Sequence, residues 1–335
     1  MYSRKDQIAK VLLKKLDETE GPVCIFLHAS IDGDCLGSAC GLSEVLKNLG
    51  YETKVCIREK IQYKMSFLDV DEYVVNVEEN PGIKPALAIA VDCAEGSRMG
   101  AAGKLFDACK NKMIIDHHRS VSLEGDEFWI VPEASSAAEL VYYLSCSLAE
   151  ITGKRREEVI SRKAADLFMA GLVTDTGRFS YSNTRPETIK AASELMELGA
   201  QIAPIMYWFF DWKTKSELLI SSEAASRARF DLDGKIATTV VTDEMFKEFN
   251  ADREDIGEVV SRLRDVEGVC LAMVFREQAD GSIRVNIRSA DPFDASVFAE
   301  RYNGGGHVRA AGCTVCDRDI YELRDEMVRE AAKLF

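Results

Sequence analysis

The sequence predicts an α/β protein: an N-terminal, mostly parallel sheet flanked by helices, then a smaller α+β region. Three observations carry this. Through the first half, short apolar runs alternate with segments of helical period, the pattern of a parallel sheet built through crossover helices. After about residue 200 the texture changes to clustered strand-like segments. The length, 335 residues, suits about two domains of roughly 100–200 residues each.

The elements follow in order. Residues 23–27 are a short apolar run after Gly21-Pro22. Residues 38–49 have helical period and stop at Gly50; residues 52–57 alternate like a strand. Residues 86–91 and 113–115 read as buried strands. Ser136-x-x-Glu139 has the spacing of a capping box and opens a helix to about Leu148. Residues 157–173 and 186–198 read as helices, with Pro186 suited to a first turn and Gly199 to a stop. Residues 205–229 read as one long connecting helix. Beyond it, 235–242, 269–275 and 283–288 are strand-like, with Asp280-Gly281 as a hairpin turn. A short helix over 295–301 leads into Asn303-Gly-Gly-Gly306, and 321–335 is an amphipathic helix. The boundary falls near 190–225.

The chain is 47% hydrophobic and 29% charged, which is enough for a core and excludes disorder and disulfide-stapled miniproteins. Its 42 basic and 56 acidic residues give a formal charge of −14. Such a chain repels polyanions at long range, which argues against wrapping long duplex DNA. Local basic spots or bound cations can still capture a short anionic ligand. Ten cysteines, several inside apolar runs as at Cys24 and Cys270, suit free thiols in a reducing compartment. Charges at the N-terminus precede no apolar segment, and no run approaches the ~18 apolar residues of a spanning helix. The expectation is a cytoplasmic protein with no membrane contact; a homodimer is left open.

All four histidines fall in three short segments, and three of the four lie beside aspartates. His28-Ala-Ser-Ile-Asp32-Gly-Asp34 follows the first strand. Asp92 ends the 86–91 strand. Asp116-His117-His118 ends the 113–115 strand, and Asp175 closes an apolar helix in Thr174-Asp175-Thr176-Gly177. Ligands of open α/β sheets bind outside the carboxyl ends of strands, so three strands deliver Asp or His to one edge. Alone, Asp32-Gly-Asp34 reads as a turn, Asp92 as a cap, and Asp175-Thr-Gly as a helix stop. Together, that many carboxylates cannot ionise side by side without positive charge. Mixed carboxylate and imidazole ligands suit Mn²⁺, with Mg²⁺, Co²⁺ or Fe²⁺ as alternatives. His28, Asp32, Asp34, Asp92, His117 and Asp175 are too many for one open site. They fit two ions about 3.5–4 Å apart with one bridging carboxylate, a pair that activates water and clamps the oxygens of an in-line displacement at phosphorus.

Asp116-His117-His118 matches the signature of the DHH phosphoesterase superfamily. The His28–Ser38 segment resembles its first motif, Asp92 its second, and Asp175-Thr-Gly-Arg-Phe179 its fourth. Gly304-Gly-Gly306-His307-Val-Arg309-Ala-Ala-Gly312 resembles the glycine-histidine signature of the associated DHHA1 domain. Ile31 departs from the family's usual proline, which touches loop stiffness and not ligation. The resemblance covers nearly the whole chain and is greatest to the nanoRNase/pAp phosphatase type. It implies a DHH domain over 1–190, a helical linker over 191–225, and a DHHA1 domain over 226–335. It implies that His28, Asp32 and Asp92 hold one ion, and that Asp34, Asp92, His117 and Asp175 hold the other, with Asp92 bridging. His118 would bond the reacting phosphate and Asp116 would orient an imidazole.

The smaller module supplies recognition in this reading. The run Gly304, Gly305 and Gly306 offers flexible backbone N–H groups to an oxyanion, with His307, Arg309 and Arg288 as side-chain donors and the substrate bridging the two modules. Phe179 and Tyr181 are candidates for base stacking, set against an ordinary core role. The implied activity is two-metal hydrolysis of oligoribonucleotides of 2–5 nucleotides and of 3′-phosphoadenosine 5′-phosphate (pAp) to AMP. The alternatives are a phosphodiesterase for linear or cyclic dinucleotides (pApA, c-di-AMP) and a single-strand-specific exonuclease; a nucleotide sensor would be expected to lose ligands. Two motifs are set aside. Cys313-x-x-Cys316 lacks the second pair of a structural zinc site. Ser161-Arg-Lys163 resembles a pyrophosphatase substrate motif but precedes Asp175, and reads as a solvated helix face.

Overall fold

The structure is a computed structural model that describes Tyr2 and residues 4–335, with only the backbone described at Glu254 and His307. It divides into two compact units, Met1–Trp212 and Lys213–Phe335.

The first unit is a six-stranded parallel sheet in the order β3-β2-β1-β4-β5-β6. Its strands are β1 (Val23–Phe26), β2 (Thr53–Ile57), β3 (Val74–Asn76), β4 (Leu87–Val91), β5 (Lys112–Asp116) and β6 (Glu127–Ile130). The central β1 and β4 are buried along their whole length. Both faces are covered, so they read as unbroken apolar runs and not as alternations. Two apolar clusters line the sheet: Ile25, Leu36, Ile89 and Phe168 belong to one, Phe26, Ala88 and Phe106 to the other.

The helices are α1 (Lys5–Asp17), α2 (Gly33–Asn48), α3 (Gly103–Ala108), α4 (Ala137–Thr152), α5 (Arg156–Val159), α6 (Arg162–Asp175), α7 (Pro186–Glu197) and α8 (Ile202–Met206). Helix α2 begins at its Asp32 cap, earlier than the periodicity indicates, because the Asp32 carboxylate accepts the N–H groups of Asp34 and Cys35. Gly171 on α6 faces α2 so closely that a methyl there would lie 2.6 Å from Asp34 Oδ1. That approach sets Asp34 and Asp175, one near the start of α2 and one at the end of α6, beside the same edge of the sheet.

Two helical expectations are corrected. Residues 157–173 do not form one helix: Ser161 breaks the run by capping α6, accepting the N–H of Ala164 at 3.3 Å. The same hydroxyl donates to Glu44 at 2.7 Å, and Lys163 donates to the Leu68 carbonyl at 2.6 Å, so Ser161 and Lys163 hold the fold together instead of forming a solvated face. Residues 205–229 are also broken. Helix α8 runs into a wide turn at Tyr207–Asp211, Trp212 is extended, and Thr214 caps α9 (Lys215–Ser226), accepting the N–H of Glu217 at 2.9 Å.

The second unit is a mixed six-stranded sheet in the order β11-β12-β10-β9-β8-β7. The strands are β7 (Arg229–Asp231), β8 (Ile236–Val241), β9 (Leu271–Glu277), β10 (Ile283–Ser289), β11 (Gly305–His307) and β12 (Ala310–Val315). Its helices are α10 (Asp243–Phe249), α11 (Val259–Arg264), α12 (Ala295–Glu300) and α13 (Ile320–Ala332). β9 and β10 form the antiparallel hairpin expected from Asp280-Gly281. The glycine run is not a free loop: Gly305, Gly306 and His307 pair with Gly312, Ala311 and Ala310 as an edge strand. Among the described residues no helix is long and apolar enough to cross a membrane, and all ten cysteines are free.

Candidate metal centre

Three neighbouring strands of the first sheet end in the motif residues. His28 lies just beyond β1, Asp92 follows β4, and Asp116 ends β5 with His117 and His118 beyond it. The strand order reverses between β1 and β4, which is where open α/β sheets leave a crevice for ligands. Asp92 holds φ +55, a left-handed conformation that Asp tolerates better than most residues and that recurs at functional sites.

The side chains converge. His28 Nε2 lies 3.5 Å from Asp32 Oδ2 and 3.4 Å from Asp92 Oδ2. His117 Nε2 lies 3.8 Å from Asp34 Oδ2, 3.4 Å from Asp92 Oδ1 and 3.3 Å from Asp175 Oδ2. His118 Nδ1 lies 3.4 Å from Asp92 Oδ1. Three groups form, each with its ligand atoms within 4.8 Å of one another: His28, Asp32, Cys35 and Asp92; Asp92, Asp116, His117 and His118; and Asp34, His117 and Asp175. Asp92 belongs to two of them.

This arrangement is unbalanced without a cation. His117 Nδ1 is 3.3 Å from the Ala134 carbonyl, which leaves Nε2 facing three carboxylates. Both ring nitrogens of buried His28 and Oδ1 of buried Asp92 lack a hydrogen-bond partner. Asp34 is held well above the usual carboxylate range by burial first, then by the charges of Asp92, Asp175 and Asp32. Burial also leads in pushing Asp175 up to about 7. Asp92 stays well below the usual range: burial opposes its charge, and His117, His118 and His28 outweigh it. Separations of 3.3–3.8 Å are long for hydrogen bonds. They suit oxygen and nitrogen ligands each about 2.1 Å from a shared ion. The donor set therefore fits divalent cations.

Asp116 is fully buried and shares a group with Asp92, His117 and His118. Its Oδ1 accepts the N–H groups of His117 and His118 and lies 2.8 Å from His118 Nδ1. Beyond His118 lies Arg98, whose Nη1 is 3.5 Å from His118 Nε2 and whose carbonyl accepts the Ala29 N–H at 2.7 Å. Sequence reasoning missed Arg98. The available signal was an arginine in the loop after Asp92, at the same strand edge.

The other sequence candidates lie in the second unit, apart from Phe179 and Tyr181. Arg309 pairs with Asp291 and donates to the Phe293 carbonyl at 3.1 Å, and Arg288 Nη1 donates to the Ile287 carbonyl at 3.3 Å. The Gly304 N–H is taken by the Ala299 carbonyl at 2.9 Å, which removes it from any anion cradle. Gly306 holds φ +146, and a side chain there would collide with the Ala310 carbonyl. The His307 side chain lies outside the described residues. Phe179 packs against the core of the first unit, whereas Tyr181 is exposed. Cys313 is buried on β12 and Cys316 is exposed beyond it.

A doubly wound sheet whose switch point carries an acid-and-imidazole centre defines the class. The DHH family N-terminal domain matches residues 22–172, and the DHHA1 domain matches residues 233–334. The chain belongs to the DHH–DHHA1 family. It is 29% identical over 297 residues to the bifunctional oligoribonuclease and PAP phosphatase NrnA of Bacillus subtilis, covering 89% of this chain and 90% of that one. The NrnA protein of Thermus thermophilus is likewise 29% identical, over 325 residues and 96% and 93% of the two chains. Among solved structures, an exopolyphosphatase-related protein from Bacteroides fragilis shares the fold with a TM-score of 0.87 at 22% identity, over 97% and 96% of the chains. RecJ from Thermus thermophilus in complex with Mn²⁺ shares it with a TM-score of 0.60 at 16% identity, over 99% of this chain and 55% of that one.

Proposed function

We propose that this protein is a two-metal phosphohydrolase that degrades short oligoribonucleotides and converts pAp to AMP and phosphate. The observation that carries the reading is the convergence of Asp34, Asp92 and Asp175 on His117 Nε2, at 3.8, 3.4 and 3.3 Å. Similarity to the two NrnA proteins over about nine-tenths of the chain or more supports the substrate class.

His28, Asp32 and Asp92 would hold one ion, and Asp34, Asp92, His117 and Asp175 the other, with Mn²⁺ as the favoured metal. Bound there, the ions would supply Lewis acidity toward a phosphoryl oxygen and a water nucleophile at neutral pH. The chain's own residues do the rest. Asp116 fixes the His118 ring through Nδ1 and turns Nε2 outward, where it and Arg98 can donate to one phosphate oxygen. The pKa of His118 is pushed up to about 10 by hydrogen bonds to Asp116 first and Asp92 second, so it carries its proton at neutral pH. Water adds to phosphorus and the P–O bond to the leaving ribose oxygen breaks. That oxygen takes up a proton, giving AMP and phosphate from pAp, or a mononucleotide and a shortened chain from RNA. The second unit's Arg288, His307 and Arg309 would bind the remaining phosphates or the substrate's terminal group.

A dinucleotide phosphodiesterase is the second reading, supported by 25% identity to the cyclic-di-AMP phosphodiesterase PdeA of Listeria monocytogenes, half of whose length the chain covers. Rates on pAp, pApA, pGpG and RNAs from dimers to 24-mers, with Mn²⁺ and with EDTA, test both. The proposal expects metal-dependent release from pAp and from the shortest RNAs, with the 24-mer slowest. Turnover of pApA alone would favour the second reading, and equal turnover in EDTA would overturn both.

A further inference from the structure

We infer that Glu139 is a positioning residue for one of the two metal positions, the group formed by Asp34, His117 and Asp175, and that it acts through residues 134–138. The inference rests on the two-ion reading above.

One short stretch of backbone bonds two of those ligand residues directly and reaches the third through Asn183. The Ala134 carbonyl lies 3.3 Å from His117 Nδ1 and turns Nε2 toward the carboxylates. The N–H groups of Ala137 and Ala138, at the start of α4, donate to Asp34 Oδ2 at 2.7 Å and Oδ1 at 2.9 Å. A helix N-terminus favours a carboxylate there, and two bonds fix the orientation of this one. The Ser135 carbonyl accepts from Asn183 Nδ2 at 3.0 Å, and the same nitrogen lies 3.1 Å from the Asp175 carbonyl. Displacing residues 134–138 therefore moves the His117 imidazole and the Asp34 carboxylate together and, through Asn183, the backbone of Asp175.

Glu139 locks that stretch. It is fully buried. Its Oε2 accepts the Ser135 N–H at 2.9 Å, the Ser135 hydroxyl at 2.6 Å and the Thr188 hydroxyl at 3.1 Å; its Oε1 accepts the Tyr2 hydroxyl at 2.6 Å. In a capping box this glutamate would bond the N–H of its own cap, Ser136. Ser136 does accept the Glu139 N–H at 3.1 Å, but the Glu139 carboxylate reaches one residue further back. The spacing that reads as a plain helix start thus serves the site beside it. The His28, Asp32 and Asp92 side chains make none of these contacts. Asp32 is set instead by its own cap on α2, so the two metal positions are supported by different devices.

The test uses Glu139→Gln and Asn183→Ala in the full chain, stripped of metal and titrated with Mn²⁺, with free Mn²⁺ read by electron paramagnetic resonance. The wild type takes up two ions. In both variants one of the two weakens about 10–100-fold while the other stays within about twofold, the range seen when groups behind metal ligands are removed. A merely structural role would lower the melting temperature in EDTA and leave both affinities alone. Two wild-type affinities in the variants, or equal loss of both, would overturn the inference. If Glu139→Gln does not fold by circular dichroism, Asn183→Ala decides alone, since it breaks only the tie between Ser135 and Asp175. A wild-type protein that takes up no Mn²⁺ would overturn the two-ion reading itself; wild-type uptake with unaltered variants overturns only the role of Glu139.

Discussion

Asp116 Oδ1 lies 2.8 Å from His118 Nδ1 and also accepts the backbone N–H groups of His117 and His118, so one buried carboxylate orients the outward imidazole and the turn that presents it. Asp116→Asn keeps the shape and loses the charge. Turnover of pAp falls about 10–100-fold. The alkaline limb of the rate profile moves to lower pH, because the first of the two bonds that raise the His118 pKa is weakened. Mn²⁺ stoichiometry is unchanged. A wild-type pH profile in this variant would remove Asp116 from the account.

Arg98 shares the outward face with His118, at 3.5 Å between Nη1 and Nε2. Arg98→Ala retains the carbonyl that holds Ala29 but removes the donor that, in the proposed reaction, would meet the reacting phosphate beside His118. Loss of such a donor costs about 10²–10³ in turnover. Steady-state rates on pAp read this directly, and Arg98→Lys recovers part of the loss. Unaltered turnover in the alanine variant would place the phosphate elsewhere.

Gly171→Ala tests the packing of α6 on α2. The new methyl would sit 2.5 Å from the Ala138 Cβ on α4 and 2.6 Å from Asp34 Oδ1. Overpacking of this kind costs about 1–3 kcal/mol, measurable by urea unfolding. Since Asp34 is one of the two groups displaced, Mn²⁺ affinity falls as well. Normal Mn²⁺ uptake with the predicted loss of stability would separate Asp34 from the metal.

Metal binding competes with protons at this site. Burial leads in raising Asp175 from 3.8 to about 7, and hydrogen bonds to Asp116 and Asp92 raise His118 from 6.5 to about 10. In both cases the folded, metal-free chain holds a proton that the unfolded chain releases. The stability each group contributes is full below its unfolded pKa and is lost as pH rises through the folded one: about 4 to 7 for Asp175, and 6.5 to about 10 for His118. Removing protons also frees Asp175 to bind an ion. The rise in melting temperature on adding Mn²⁺ therefore grows between pH 5 and 8. A rise independent of pH would contradict this.

The sheet edge was legible because each motif follows an unbroken apolar run, the mark of a strand buried on both faces; β1, β4 and β5 end within one residue of those runs. The clustering of these acids and histidines was legible because Asp and His at such ends have few other uses together. Edge strands β3 and β7 were missed, being three residues long and only partly buried, with no hydrophobic period to read. The breaks at Ser161 and Thr214 were missed because a cap inside a helical pattern looks like a tolerated polar residue. Arg98 and Asn183 carry no motif; only tertiary contact brings them to the site. Glu139 was seen, but its partner is decided by Tyr2 and Thr188, which no local spacing can show.

The central claim is a pair of dications held by His28, Asp32, Asp34, Asp92, His117 and Asp175. Anomalous scattering from crystals grown with Mn²⁺, recorded on both sides of the manganese edge, tests it most directly. Two manganese peaks about 3.5–4 Å apart are expected, with Asp92 reaching both. A single peak, or none within reach of these side chains, would contradict it.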